Sequence, residues 1–226
     1  MKVTYFGHSC FMVEVKGKKL LFDPFIRPNP LAEKIQVEEI LPDYIFVSHG
    51  HEDHLADLVE IAQRSNAMVI GVWELYVWAS QKGLTHLHPM NTGGRKTFDF
   101  GTVQLTNAVH SSSFPDGTYA GNPVGFVIET DEGNFYYSGD TALTMDMQLI
   151  PQRTTLNFAL FPIGSNFTMD VHDASKAADF VLVNKVIGLH YDTFGFIKIN
   201  HEEAKKVFSS SGKELILMNI GETISI

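Results

Sequence analysis

The sequence predicts an α/β fold, in which short strands alternate with a few amphipathic helices. Apolar runs such as Tyr44–Ser48, Met68–Val72 and Val186–Leu189 have the length and composition of buried strands. Helical spacing (i, i+3, i+4, i+7) follows soon after the first run, and it is carried by Leu55, Leu58, Val59 and Ala62. We therefore expect a helix that begins just after His54.

Two β-hairpins are predicted, one in each half of the chain. The first joins Phe11–Val15 to Lys19–Phe22, and the second joins Gly125–Thr130 to Asn134–Ser138. Each hairpin leads to an aspartate, namely Asp23 and Asp140. This echo suggests two related β-rich halves packed face to face, although two hairpins that resemble each other by chance are an equal alternative.

The same patterns predict the remaining elements. Helices are expected over Leu75–Gln81 and His201–Phe208, and a third begins after the cap residue Asp170. Further strands are expected over Lys96–Phe100, Val103–Val109 and Glu214–Ile226. Neither a low-complexity linker nor a tandem repeat interrupts the chain, so we expect residues 1–226 to form a single domain.

The composition excludes several classes of protein. Hydrophobic residues make up 44% and charged residues 19%, a balance typical of globular chains. A net charge of −9 without a basic stripe argues against long nucleic acid as a partner. No apolar run approaches the ~20 residues that a membrane span requires, and Lys2–Phe6 alternates like a strand and not like a signal peptide. Cys10 is the only cysteine, so we expect a cytoplasmic protein without an internal disulfide.

The most informative segment is Ser48–His54, where a predicted strand ends and a helix begins. Residues two apart in an extended chain point the same way, so His49 and His51 can face one cation. The chain then turns, and Asp53 and His54 face a second position. Imidazole and carboxylate ligands suit zinc, iron or manganese. A polar helix cap with chance histidines is the alternative, but this density of ligands favours a metal site.

Three more residues of ligand type follow predicted strands: His110, Asp140 and His190. Active sites of α/β proteins usually lie just beyond such strand ends. Taken singly, each residue is equally compatible with a polar side chain satisfied by its neighbours. Together with the first cluster, they predict one site.

In these residues the chain resembles the metallo-β-lactamase superfamily. The resemblance lies in the spaced signature of Ser48–His54, followed in order by the three later residues, and it covers nearly the whole chain. It implies a four-layer αβ/βα sandwich, with two mixed β-sheets face to face and helices outside. It also implies two divalent metal ions, with zinc as the first expectation and manganese or iron as alternatives.

The resemblance further implies a role for each ligand. One metal is expected on His49, His51 and His110. The other is expected on Asp53, His54 and His190, and Asp140 is expected to bridge the two. Asp23 matches an acidic position of the family that usually orients a metal-binding histidine.

Four further segments are similar to the stand-alone bacterial metal-dependent hydrolases, a branch related to the ascorbate-6-phosphate lactonases: Gly7–Phe11, Phe22–Phe25, Asn166–Asp170 and His190–Phe194. This similarity implies that His8 lies near the pocket. We also expect substrate contacts from Asn166, Thr168 and Tyr191, although packing is the alternative for Tyr191. One departure is Ser165, which stands where an acidic residue is expected and weakens any role transferred to its loop.

The expected function is hydrolysis of a small ester, lactone or phosphoester by a hydroxide that bridges the two metals, because a bound metal lowers the pKa of water to about 7. We assign catalytic roles to Asp53, His8 and Asp23. Ser111–Asn122 is the expected substrate-facing loop, and Arg27 is either an anion contact or a solvated arginine.

Three alternatives share these residues: a di-iron redox protein on the same fold, a phosphodiesterase acting on nucleotides, and a metal-stabilised binding protein that has lost catalysis. The absence of a flavin module counts against the first, and the complete ligand set counts against the last. The expected partner is a small-molecule substrate and not a membrane, and self-association is left open.

Overall fold

The computed structural model describes residues 1–226, and its strands form two seven-stranded sheets. In spatial order, the first sheet contains β14 (Thr223–Ser225), β1 (Lys2–Gly7), β2 (Cys10–Val15), β3 (Lys18–Phe22), β4 (Tyr44–Phe46), β5 (Met68–Val72) and β6 (Leu87–Met90). Neighbours from β14 to β3 pair antiparallel, whereas those from β3 to β6 pair parallel.

The second sheet repeats this design. In spatial order it contains β13 (Glu214–Ile216), β12 (Lys185–Leu189), β11 (Phe158–Pro162), β10 (Gly133–Tyr137), β9 (Val124–Thr130), β8 (Thr102–Asn107) and β7 (Arg95–Thr97). Neighbours from β7 to β10 pair antiparallel and those from β10 to β13 pair parallel. Both predicted hairpins are present, and the expectation of two mixed sheets is confirmed.

Five helices cover the sheets: α1 (Glu52–Leu55), α2 (Leu58–Ser65), α3 (Trp73–Gln81), α4 (Val171–Phe180) and α5 (His201–Ser210). Helix α3 contacts β5 and β6 of the first sheet, whereas α4 and α5 contact β11 and β13 of the second. The Asp170 side chain caps α4 by accepting a hydrogen bond from the Asp173 N–H, as predicted. None of the five combines the length and the apolar character needed to cross a bilayer.

The helix expected just after His54 begins earlier, at Glu52, and is broken after one turn. Asp57 explains the break, because its carboxylate accepts hydrogen bonds from the backbone N–H groups of Ile26 (2.5 Å) and Arg27 (3.0 Å). These bonds tie the junction of α1 and α2 to the loop after β3. As a consequence, Asp53 and His54 lie in the first turn of a very short helix.

The core lies between the sheets and is rich in aromatic side chains. Phe22 stacks on Phe11 (ring centroids 4.5 Å apart) and on Phe46 (4.7 Å) across the first sheet. Tyr137 of the second sheet meets Phe11 edge-on at 5.1 Å. Its neighbour Tyr136 points to the opposite face and packs in a second cluster beneath α4 and α5. The alternation of side chains along β10 thus supplies both layers of packing.

The strand directions bring the chemistry to one edge. In the first sheet β1, β3, β4 and β5 run the same way, and in the second sheet β8, β10, β11 and β12 do so. Each predicted ligand, together with His8 and Asp23, follows the carboxyl end of one of these strands. We call this rim of the sandwich the site edge.

Candidate metal centre

The structure brings all seven predicted ligands together at the site edge. The nitrogen atoms of one group lie within 4.8 Å of one another, and this group comprises His49, His51 and His110. A second group of that compactness comprises His8, Asp53, His54 and His190.

Asp140 lies between the two groups. Its Oδ2 atom is 3.0 Å from His190 Nε2 and 3.3 Å from His54 Nε2 in the second group. The same oxygen is 3.7 Å from His110 Nε2 in the first group. A single carboxylate therefore contacts both groups.

Asp23 is fully buried and acts as a hydrogen-bond hub beneath the centre. Its Oδ1 accepts from the Ser48 N–H (2.7 Å), while Oδ2 accepts from the Ser48 hydroxyl (2.6 Å) and the Tyr137 hydroxyl (2.5 Å). The same Oδ2 is 2.7 Å from His54 Nδ1. A carboxylate can only accept, so His54 carries a proton on Nδ1 and turns Nε2 toward the centre, where the neighbouring carboxylates raise the pKa of the ring against the effect of burial.

Ser48 fixes the position of the ring proton on a second histidine, His49. Its hydroxyl oxygen is 2.9 Å from His49 Nδ1. Because the hydroxyl proton is donated to Asp23, His49 must donate its own Nδ1 proton to the serine. The Nε2 atom of His49 is then also free to bind a cation.

The donor atoms at the centre fit a metal. His49 Nε2 lies 2.9 Å from His51 Nδ1, so two ring nitrogens point into one space. Asp140 Oδ1 is buried there without any hydrogen-bond partner, and the contact of His54 Nε2 with Asp140 Oδ2 lacks the geometry of a hydrogen bond. Buried polar atoms are normally paired, and unpaired nitrogen and carboxylate donors aimed at common positions are what a transition-metal cation requires.

The two donor groups differ in the charge that their side chains carry. Burial lowers the pKa of His49, and the nearby His54 adds to the effect, so His49 is neutral as a metal ligand must be. Burial also acts on His190, but the Asp140 carboxylate outweighs it and raises the pKa of His190 to about 9. Burial alone would raise the pKa of Asp53, yet the surrounding histidines hold that pKa well below its usual range. The second group therefore pairs ionised carboxylates with histidines.

His8 lies behind Asp53. Its Nε2 is 3.0 Å from Asp53 Oδ2, and its Nδ1 is 3.0 Å from the Thr193 hydroxyl. Burial lowers the pKa of His8 to about 4, so the ring is neutral and donates its one proton to the carboxylate, while the Thr193 hydroxyl donates to Nδ1. His8 thus holds Asp53 in place, a contact that the sequence did not predict, and Thr193 lies in a segment singled out by the sequence but was assigned no role.

Of the three predicted substrate contacts, two lie in a loop near the centre and one lies in the core. Asn166 is exposed and Thr168 is half-buried in the loop after β11, where the Met169 N–H bonds to the Thr141 carbonyl beside Asp140. Tyr191 is buried in the second core cluster, with its ring 5.5 Å from that of His201. The structure therefore does not bring Tyr191 to the centre, and its position is the packing alternative.

The loop Ser111–Asn122 lies against the first group. Ser112 accepts a hydrogen bond from the Gly50 N–H (3.2 Å), and the Ser111 hydroxyl is 3.4 Å from His51 Nε2. Arg27, by contrast, pairs with Glu38 (2.6 Å) and Glu60 (2.7 Å). Because two carboxylates already neutralise its guanidinium, Arg27 is not available to bind an anionic substrate group.

Gly164 fixes the distance between the loop after β11 and the backbone of His190. A Cβ at this position would overlap the His190 carbonyl oxygen and lie 2.9 Å from Ile197 Cβ. We expect Gly164→Ala to lower the free energy of unfolding by about 1–3 kcal/mol, because the backbone that carries a ligand must move. Urea denaturation checks this, with Gly195→Ala as the control, since nothing lies within 4 Å of a Cβ there. Equal stabilities of the two variants would contradict the close packing.

Comparisons with known proteins agree with this architecture. A sequence profile described as the Beta-lactamase superfamily domain matches residues 2–190. A UPF0173 metal-dependent hydrolase of Flavobacterium johnsoniae is 52% identical over 100% of both chains. A further relative of that description, from Bacillus subtilis, is 41% identical over 100% of both chains.

Solved structures give the same result. A metallo hydrolase from the archaeon Ignicoccus hospitalis is 36% identical, has a TM-score of 0.89, and matches over 99% of this chain and 97% of its own. An isothiocyanate hydrolase from Delia radicum gut bacteria shares the fold, with a TM-score of 0.81 and 19% identity over 100% of this chain and 99% of its own. The chain therefore belongs to the metallo-β-lactamase superfamily and, within it, to the family of the UPF0173 metal-dependent hydrolases.

Proposed function

We propose that this chain is a hydrolase that uses two divalent cations, zinc by preference, to cleave a small ester, lactone or phosphoester. The observation that carries the proposal is the position of Asp140, whose Oδ2 lies within 3.7 Å of histidines from both donor groups. One group alone would serve a structural metal equally well. A carboxylate shared between two groups favours a pair of cations close enough to act on one substrate.

The residues of the two groups would hold the cations, with three histidines at the first and Asp53, His54 and His190 at the second. Bound together, such cations polarise a carbonyl or phosphoryl oxygen and lower the pKa of water to about 7. Asp23 contributes by holding a proton on Nδ1 of His49, through Ser48, and on Nδ1 of His54, so that Nε2 of each ring faces the centre.

Asp53 is our candidate for orienting the attacking water molecule. Its side chain is 27% exposed, whereas the side chain of Asp140 is 3% exposed, so Asp53 is the carboxylate that solvent and substrate can reach. His8 binds Asp53 Oδ2 from behind and leaves the other oxygen free. A carboxylate whose pKa is held this low stays ionised and can orient a water molecule by accepting a hydrogen bond from it.

The relatives support the reaction class. Those from Flavobacterium johnsoniae and Bacillus subtilis are named metal-dependent hydrolases, and the chains match over their full lengths. We accordingly propose a small-molecule substrate, in keeping with the acidic net charge of −9.

The proposal is tested by metal removal and reconstitution. We expect purified protein to carry about two metal ions per chain, the number that a two-metal site requires. A panel of lactones, esters and phosphodiesters should be hydrolysed by protein reconstituted with zinc, manganese or iron and not by chelated protein. Elemental analysis and product release are the two measurements. Full activity in metal-free protein would refute the proposal, as would iron redox chemistry without hydrolysis of any member of the panel.

A further inference from the structure

The exposed aromatic side chains of this chain gather at the site edge. Four aromatic residues are more than half exposed: Trp73, Tyr119, Phe167 and Phe196. They follow the carboxyl ends of β5, β8, β11 and β12 respectively, which are strands that end at the site edge. Large apolar side chains clustered on one rim of a protein mark a surface that binds something apolar.

Two of these residues belong to a wall that begins at the metal centre. The Phe194 ring lies 5.3 Å from the ring of His8 and 6.4 Å from that of Phe25. Two residues further along, Phe196 meets Phe167 at 6.3 Å. We call Phe25, Phe194, Phe196 and Phe167 the aromatic wall. It consists of two pairs of rings that the backbone of residues 194–196 connects: Phe194 is half-buried beside His8, whereas the side chains of Phe167 and Phe196 are 51% and 77% exposed.

Basic side chains do not contribute to the centre. Asp53 and Asp140 form ion pairs only with histidines. Arg27, in the loop that follows Asp23, is occupied by two glutamates. The carboxylates of the centre are therefore paired with imidazole rings and with no guanidinium or ammonium group.

From the apolar character and position of the wall we infer that the substrate is an ester or lactone with an apolar alkyl or aryl group, which lies on Phe167 and Phe196 while the carbonyl reaches the metal centre. This inference rests on the proposed function and narrows it. It disfavours sugar phosphates as substrates, because burying their hydroxyl groups against the rings would cost hydration without a hydrogen bond in return.

Alkyl hydroxamates of increasing chain length test the inference by binding alone. Their two oxygens chelate a metal, and their alkyl chains are a direct probe of the wall. With zinc-reconstituted protein, calorimetry should show affinity rising by about two- to fourfold per methylene from acetohydroxamate to octanohydroxamate, the gain expected from burying each CH₂. The double substitution Phe167→Ala and Phe196→Ala should remove most of this dependence and leave acetohydroxamate binding unchanged. Leu41→Ala is the control, because Leu41 is also exposed (50%) but precedes β4 at the opposite edge.

The outcomes separate this inference from the proposed function. Affinity that is independent of chain length would overturn the inference while leaving the metal centre intact. Failure of acetohydroxamate itself to bind would count against the metal centre and hence the proposed function. Gel filtration provides a further check: a wild-type dimer that the double variant converts to a monomer would assign the wall to a second copy of the chain and overturn the inference.

Discussion

Replacement of Asp140 by alanine is expected to lower kcat by on the order of 10⁴-fold, the scale seen when one member of a group that acts as a unit is removed. The reason is the position of its Oδ2, which contacts His54, His110 and His190 at 3.0–3.7 Å. Without this carboxylate the two donor groups lose their common member. Initial rates on the best substrate of the panel measure the fall in kcat. Elemental analysis should show fewer than two metal ions per chain, because the cation held by Asp53, His54 and His190 binds more weakly or is lost.

The matched control for Asp140→Ala is Asp146→Ala. Asp146 lies six residues later in the chain and is exposed. Its carboxylate accepts a hydrogen bond from the Asn107 side chain (2.8 Å) and makes no contact with the ligands of the centre. We expect Asp146→Ala to keep both metals and full activity. Circular dichroism should show that both variants retain the fold. If Asp140→Ala kept two metals and normal turnover, the shared position of this carboxylate would have no functional meaning.

Removal of Asp23 is expected to damage both stability and metal binding. Asp23→Ala leaves four buried donors without their acceptor: the Ser48 N–H, the Ser48 hydroxyl, the Tyr137 hydroxyl and His54 Nδ1. We expect the free energy of unfolding of metal-free protein to fall by about 3–5 kcal/mol, as when one partner of a buried pair is removed. Zinc affinity should fall by about 10–100-fold, because the outer partners of metal-binding histidines carry effects of this size.

Tyr137→Phe is the control that separates the loss of stability from the loss of zinc affinity. It removes one donor to Asp23 and leaves the bonds to Ser48 and His54 in place. The expected loss is about 1–3 kcal/mol in stability with little change in zinc affinity. Urea denaturation measures the first quantity and competition with a chromophoric chelator the second. Wild-type zinc affinity in Asp23→Ala would show that the hub does not act on the histidines.

The sequence predicted the fold well where the signal is local. Alternating patterns identified both hairpins, and the aspartates that follow them, Asp23 and Asp140, correctly suggested two similar halves. Strands β6 and β11 were not predicted. Strand β6 is only half-buried and contains Pro89, so it lacks the apolar pattern of the strands beside it.

The candidate site was predicted as a set of residues but not as a network. The roles of Tyr137 and Thr193 depend on partners 114 and 185 residues away, and no local pattern encodes such contacts. Asp57 broke the predicted helix for the same reason, by bonding to a distant loop. The position of Tyr191 had no local signal either. His190 lies beyond the end of β12 with a positive φ of 54°, so the alternation of an extended strand does not apply to its neighbour.

Each donor group draws its members from both halves of the chain. In one group, His49 and His51 come from the half that forms the first sheet and His110 from the half that forms the second. In the other group, His54 comes from the first half and His190 from the second. A cation at either position would therefore fasten one half to the other, much as a disulfide does, but reversibly and in proportion to the free metal concentration. In a protein built in this way, metal supply would govern how long the folded chain survives proteolysis as well as how fast it works.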